Sequence, residues 1–296
     1  MNQKKEKLIT FDKDLMFCTV MKHKAPCIKF LESVLEKKIK DVHFRDVDVQ
    51  KYLSYHPAKK AVILDVFFDD DTTMYNIEMQ STNTKNLLNR ASIYEALLIA
   101  DSVQKGKTSY KTLKSRYVIF LCTFDPFEDY HYNQKFYRIE SICKNVKDLP
   151  IDDGRHILFL NTKGVDGKIS HDLEALFEYI NGGEDSIGKE TDNELVKLID
   201  DYVEKINKDE QWRAEYMKYM FDMEDQFDKG KSEGVAQGRA EAFAEAEAKY
   251  KVKEAQAKEE KVTMIKDLYV RNVPLKTIAE CTHLPESEVQ SILSAK

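Results

Sequence analysis

The chain has 296 residues, 42% hydrophobic and 33% charged, with 46 basic against 52 acidic side chains and a formal charge of −6. That length suits one large domain with an appendage or two modest domains, and the charge excess over ordinary globular usage means that part of the chain is unusually solvated. No run approaches ~18 apolar residues, which argues against a transmembrane helix; the Met1–Lys7 start lacks a signal peptide's apolar stretch; and the acidic sum alone argues against a protein that coats nucleic acid.

Residues 14–38 carry apolar side chains at helical spacing, with Pro26 marking a break or a second helix. From 41 to 55 the pattern alternates (Val42, Phe44, Val47, Val49, Leu53), which predicts a strand. Two short apolar runs, Ala61 to Phe68 and Met74 to Gln80, flank the acidic turn Asp69–Thr73 and read as a β-hairpin. Residues 84–104 predict a helix ending near Gly106. Tyr117 to Cys122 is a continuous apolar run bounded by Asp125-Pro126, the mark of a buried central strand. Weaker strands follow near 131–140 and 156–161, then helix over 171–180 and 190–228.

Composition changes at Lys229. Residues 229–261 alternate charge with alanine, and Gly230, Gly234 and Gly238 recur every four residues. This pattern fits a solvated helical linker and equally a close helix pairing between chains, since small residues four apart lie near one helix face. The tail from 262 reads as short helices broken at Val273-Pro274 and restarted at Pro285. Helix, turn, helix is compatible with DNA reading and with a hairpin that pairs chains. Five scattered cysteines without a CxxC pair (Cys18, Cys27, Cys122, Cys143, Cys281) argue against a disulfide scaffold or a structural zinc site and point to a cytoplasmic location.

The informative stretch is Leu64-Asp65-Val66 followed by Tyr75-Asn76-Ile77-Glu78-Met79-Gln80. Asp65 and Glu78 interrupt apolar strands, where carboxylates are normally excluded. A hairpin centred on Asp71-Thr72 places Asp65 directly opposite Glu78 on one face, and paired residues hold their β-carbons about 4.5–5.5 Å apart. Two like charges there call for a proton or a cation between them. A hard divalent ion, Mg²⁺ or Mn²⁺, is the economical choice, with the Met79 carbonyl as a further ligand. Gln80, two residues on, shares the face of Glu78 and could orient an attacking water. An exposed face or a salt-bridged pair is the plainer alternative for the same residues.

These residues, with Arg90 and Tyr94 on the following helix, resemble the PD-(D/E)XK nuclease family transposases, also called the Rpn family of recombination-promoting nucleases. The resemblance continues through Gly106, Tyr110 and Leu113, through Ile119 to Asp125 and through Leu158 to Asn161. It takes in the Asp14-x-x-Phe17-x-x-x-Met21 opening and the tail around Ile278, Leu284 and Val289, nearly the whole chain. It implies an α/β fold, a restriction-endonuclease-like mixed central sheet flanked by helices, with an α-helical C-terminal extension. It implies a metal-dependent DNA endonuclease serving recombination or transposition, with Asp65 and Glu78 as metal ligands. Gln80 stands where the superfamily has lysine, Asp14 is a supporting acid, and Arg90 and Tyr94 line the site. Ile63 stands where many relatives have a basic residue, which weakens a phosphate contact there. Gln80 in place of lysine keeps open a second reading, a catalytically weak nucleic-acid-binding or oligomerising protein.

The expected organisation is a nuclease-like domain over 1–185, a helical extension over 186–228, the charged linker over 229–261 and a helix-turn-helix-like tail over 262–296. Lys105, Lys107, Lys111, Lys114 and Arg116 lie in a stretch free of acids, a candidate contact for the DNA backbone or a solvated loop. DNA is the expected partner, with RNA left open by the sequence, and chains could pair through the C-terminal helices.

Overall fold

In the computed structural model, residues 7–44, 65–103 and 113–294 are described. They form two compact units, Met1–Tyr216 and Met217–Lys296. The first opens with α1 (Asp14–Met21) and α2 (Lys24–Leu35). The chain turns between them at Lys22 and His23, and Pro26 sits in the first turn of α2, where a missing N–H costs nothing. Strands β1 (His43–Phe44), β2 (Val66–Asp69) and β3 (Thr73–Gln80) precede α3 (Leu87–Val103). Then come β4 (Ser115–Cys122), β5 (Phe136–Ile139), β6 (Arg155–Asn161), α4 (His171–Gly182) and α5 (Glu194–Asn207). Most of the alternating stretch expected as strand over 41–55, and Ala61 to Leu64, lie outside the described residues.

The strands form one mixed sheet in the order β1-β2-β3-β4-β6-β5. β4 is central and runs parallel to both β3 and β6, as its uninterrupted apolar run implies. The hairpin register is Val66↔Ile77, Phe67↔Asn76, Phe68↔Tyr75 and Asp69↔Met74. The acidic turn sets it. One Asp70 carboxylate oxygen accepts the N–H groups of Thr72 and Thr73, each at 2.7 Å, and the other accepts the Tyr75 hydroxyl at 2.9 Å. A slip of one residue would turn every side chain of the hairpin to the wrong face.

Helices cover both faces. One face of the sheet (Phe68, Tyr75, Ile77, Met79, Ile119, Leu121, Leu158, Leu160) packs under α1, α2, α4 and α5. The other (Phe67, Met74, Val118, Phe120, Phe159) packs under Leu87, Ala91, Tyr94 and Leu98 of α3. The architecture is the mixed sheet flanked by helices that the resemblance implies.

The long helix α6 (Glu210–Val270) is continuous, so the composition change at Lys229 leaves no break in the backbone. Its start is separated from α5 at Lys208 and Asp209, dividing the helix expected over 190–228. In the second unit, α7 (Leu275–Thr282) and α8 (Glu286–Ser294) close a small core of Ile265, Ile278, Ala279 and Val289. This is a helix-turn-helix, but α8 carries Glu286 and Glu288 in its first turn and no basic residue in its last.

Candidate active site

The register of the hairpin carries Asp65, one residue before β2, opposite Glu78 of β3. Both lie on the α3 face, in line with Phe67 and Asn76. Their hydrogen bonds interlock. The Met79 N–H donates to Asp65 Oδ2 at 3.0 Å, and the Asp65 N–H donates to Glu78 Oε1 at 3.2 Å. Glu78 is fully buried. Burial pushes both carboxyl pKa values above the usual carboxylate range, and for Asp65 the facing charge of Glu78 adds to the rise.

Asn76, which the sequence reading passed over as a site residue, supports Glu78 directly. It is fully buried two residues upstream on the same face, and its Nδ2 donates to Glu78 Oε1 at 2.9 Å. This donor favours the ionised carboxylate. Its own Oδ1 is buried without a hydrogen-bond partner. The alternation Asn76-x-Glu78-x-Gln80 in an otherwise apolar strand is the signal that could have found it.

From α3, Arg90 and Tyr94 reach down onto the pair. Arg90 Nη1 donates to Gln80 Oε1 at 2.6 Å, and Nη2 lies 3.4 Å from Glu78 Oε2. Arg90 also donates to the Tyr94 hydroxyl, through Nε at 3.0 Å and through Nη2. The spacing of four residues puts the two on one helix face. Gln80 is buried and engaged at both ends, since its Nε2 donates to the Met79 carbonyl at 2.8 Å. Gln80 is thus a tether for Arg90 and not a free group facing water, and the Met79 carbonyl accepts one hydrogen bond from it.

Asp14 opens α1, in contact with solvent. Partial withdrawal from water raises its carboxyl pKa, Arg90 pulls it back, and its charge adds to the rise at Asp65, so it belongs to the same electrostatic cluster. Cys18, one turn further along α1, is driven up by burial and by Asp65, which leaves a protonated, inert thiol.

The basic stretch after α3 divides. Lys105, Lys107 and Lys111 lie outside the described residues. Lys114 and Arg116 are not at the site. Lys114 precedes β4 and Arg116 pairs with Met74 near its start, while Glu78 aligns with Phe120. Lys114 Nζ binds Asp69 Oδ2 at 2.8 Å and the Asp70 carbonyl at 2.6 Å. Arg116 is buried against Glu95 at 3.2 Å, and Arg155 meets the same carboxylate at 2.7 Å. Both are thus engaged by internal partners, with part of the Lys114 side chain left exposed.

Among the described residues, no three His, Cys, Asp or Glu side chains gather into a metal-binding group. The donor set still fits one kind of ion. Two facing carboxylates, Glu78 buried and Asp65 half-buried, suit Mg²⁺, which binds through one or two carboxylates and keeps several waters.

The family model described as PD-(D/E)XK nuclease family transposase matches residues 13–230, most of the chain and the whole of the sheet. No curated protein and no solved structure matches the chain.

Proposed function

This chain belongs to the PD-(D/E)XK nuclease family of transposases, and from that premise we propose that it is a metal-dependent endonuclease that hydrolyses DNA phosphodiesters in recombination or transposition. The observation that carries the reading is the pairing of half-buried Asp65 with buried Glu78, set face to face by the hairpin register. Holding two like charges together is costly for a fold unless a proton or a cation meets them, and a hard divalent cation would do so. A bound Mg²⁺ or Mn²⁺ would supply a water of lowered pKa and offset charge on the phosphoryl oxygens. Asp65 and Glu78 would hold it, with Asp14 adding negative charge nearby. The Met79 N–H orients Asp65, and the Asn76 donor favours the ionised form of Glu78 against the rise that burial imposes.

A second reading, a nucleic-acid-binding protein without cleavage, is supported by Arg90, a cation already close to Glu78. Nicking of supercoiled DNA in Mg²⁺ or Mn²⁺ separates the two, with an RNA substrate as a parallel arm. We expect wild-type protein to nick DNA and Asp65→Ala and Glu78→Ala to abolish it. Equal cleavage by all three would sink the mechanism.

Pairing of two copies through α6 belongs to the same reading. Met220, Met223 and Phe227 are exposed at alternating spacings of three and four, leading into Gly230 and Gly234. That spacing is the seam of a two-stranded coiled coil. Among the described residues no helix is long and apolar enough to cross a membrane.

A further inference from the structure

Hydrolysis of a phosphodiester builds negative charge on the non-bridging oxygens as the water oxygen bonds to phosphorus. The ester P–O bond breaks with its electron pair on the leaving oxygen, and the proton of the water passes to that oxygen or to solvent. Preorganised positive groups aimed at that charge lower the barrier most. Asp65, Glu78 and Asp14 all carry the wrong sign for this. Gln80 is neutral and bonded at both ends. Arg90 is the cation whose field acts on all three carboxyl groups.

Its geometry separates it from an ordinary salt bridge. The shortest contacts of the guanidinium go to neutral partners, Gln80 Oε1 at 2.6 Å and the Tyr94 hydroxyl, while the Glu78 carboxylate is touched once, at 3.4 Å. An arginine placed to neutralise Glu78 would take it bidentately and close. The group is held from two sides, with the Tyr94 ring 5.4 Å from its carbon, yet 31% of the side chain stays exposed beside the carboxylate pair. Part of the guanidinium side chain is thus open to solvent beside the carboxylates. A planar guanidinium is matched to two phosphate oxygens at once.

We propose that Arg90 is a catalytic residue that meets the scissile phosphate and stabilises the charge developing on it, with Gln80 and Tyr94 as positioning residues that fix its plane. The assignment rests on the nuclease reading given above and adds a role that the carboxylates cannot fill.

The test uses the full chain and two readouts of opposite sign. Arg90→Gln, Arg90→Lys and wild type are compared by calorimetric titration with Mn²⁺ alone and by cleavage kinetics on DNA. A cation next to Glu78 competes with a metal, so Arg90→Gln is expected to bind Mn²⁺ about threefold to tenfold more tightly. The same variant is expected to lose about 100-fold or more in kcat with little change in KM, because the interaction forms in the transition state. Arg90→Lys, which keeps the charge without the fork, is expected to recover at least tenfold of that loss. Gln80→Leu, which frees the guanidinium but leaves its charge, is expected to fall between wild type and Arg90→Gln in kcat. A mere brace would lower Mn²⁺ affinity and kcat together, in step with a fall in Tm, and that result overturns the proposal. So does a kcat for Arg90→Gln within threefold of wild type. A wild type that binds Mn²⁺ but cuts nothing removes the nuclease reading itself, and the catalytic assignment with it; tighter Mn²⁺ binding by Arg90→Gln would then remain as evidence for the second, non-cleaving reading.

Discussion

Replacing Asp65 by asparagine changes one charge and almost no shape. The amide oxygen can still accept the Met79 N–H, and the backbone N–H of residue 65 can still donate to Glu78. In wild type, both carboxyl pKa values are raised on folding. The folded state therefore holds its protons longer than the unfolded chain. The stability this gives is fully present below the ordinary carboxylate pKa and is lost as pH rises through the raised values. With both groups ionised, two charges about 5 Å apart at an effective dielectric of about 20 repel by roughly 3 kcal/mol. Asp65→Asn removes that repulsion, so without metal at pH 9 the variant is expected to be about 1–3 kcal/mol more stable than wild type. For a unit of this size that is a Tm higher by about 3–8 °C. The gain shrinks as pH falls and is gone near pH 4. Millimolar Mg²⁺ reverses the order. A metal at 100 times its Kd stabilises wild type by about 2.7 kcal/mol and does little for the variant. Thermal melts from pH 4 to 9, with and without Mg²⁺, read all of this. A variant less stable than wild type at pH 9, or an equal Mg²⁺ effect on both, would refute the paired-carboxylate site.

Asn76→Leu removes the buried donor to Glu78, so the Glu78 pKa rises further and the alkaline-going limb of the cleavage profile is expected to move up by about one pH unit, in line with a charge-assisted hydrogen bond of about 1.5–3 kcal/mol. Arg116→Met breaks the buried bridge to Glu95, and a lower Tm, by about 1–3 kcal/mol in stability, is expected with no change in the salt dependence of DNA binding; a flatter salt slope would restore Arg116 as a phosphate contact. A chain ended after Asp228 is expected to keep the Mg²⁺-induced rise in Tm while light scattering shows less self-association than the full chain, because the carboxylate pair lies in the first unit and the Gly230–Gly238 stripe is removed.

The α3 layer shows where sequence reasoning runs out. Alternation and turn chemistry act over a few residues, so the acidic turn, the hairpin and the facing of Asp65 and Glu78 were legible along the chain and agree with the observed register. The uninterrupted run of β4 likewise marked the central strand. The fates of polar side chains were not legible, because partners lie far apart in sequence. Lys114 and Arg116 look like a basic patch in one dimension. In three dimensions Asp69, Glu95 and the Asp153 carbonyl take up their donors. Gln80 looked free to face water until Arg90, ten residues on, was seen to occupy its oxygen.

By itself, then, the chain marked the hairpin, the central strand and a facing carboxylate pair, because strand periodicity and turn geometry are local properties of the backbone, while the nuclease-like fold was what the family resemblance implied. Which charges remain available for chemistry was decided only by the tertiary packing. Burial sets the carboxyl pKa values, and the docking of α3 on the sheet brings Arg90 to the pair while the basic residues of β4 are absorbed at the other end of the strand. A charge acts through its surroundings, and those are assembled by the fold.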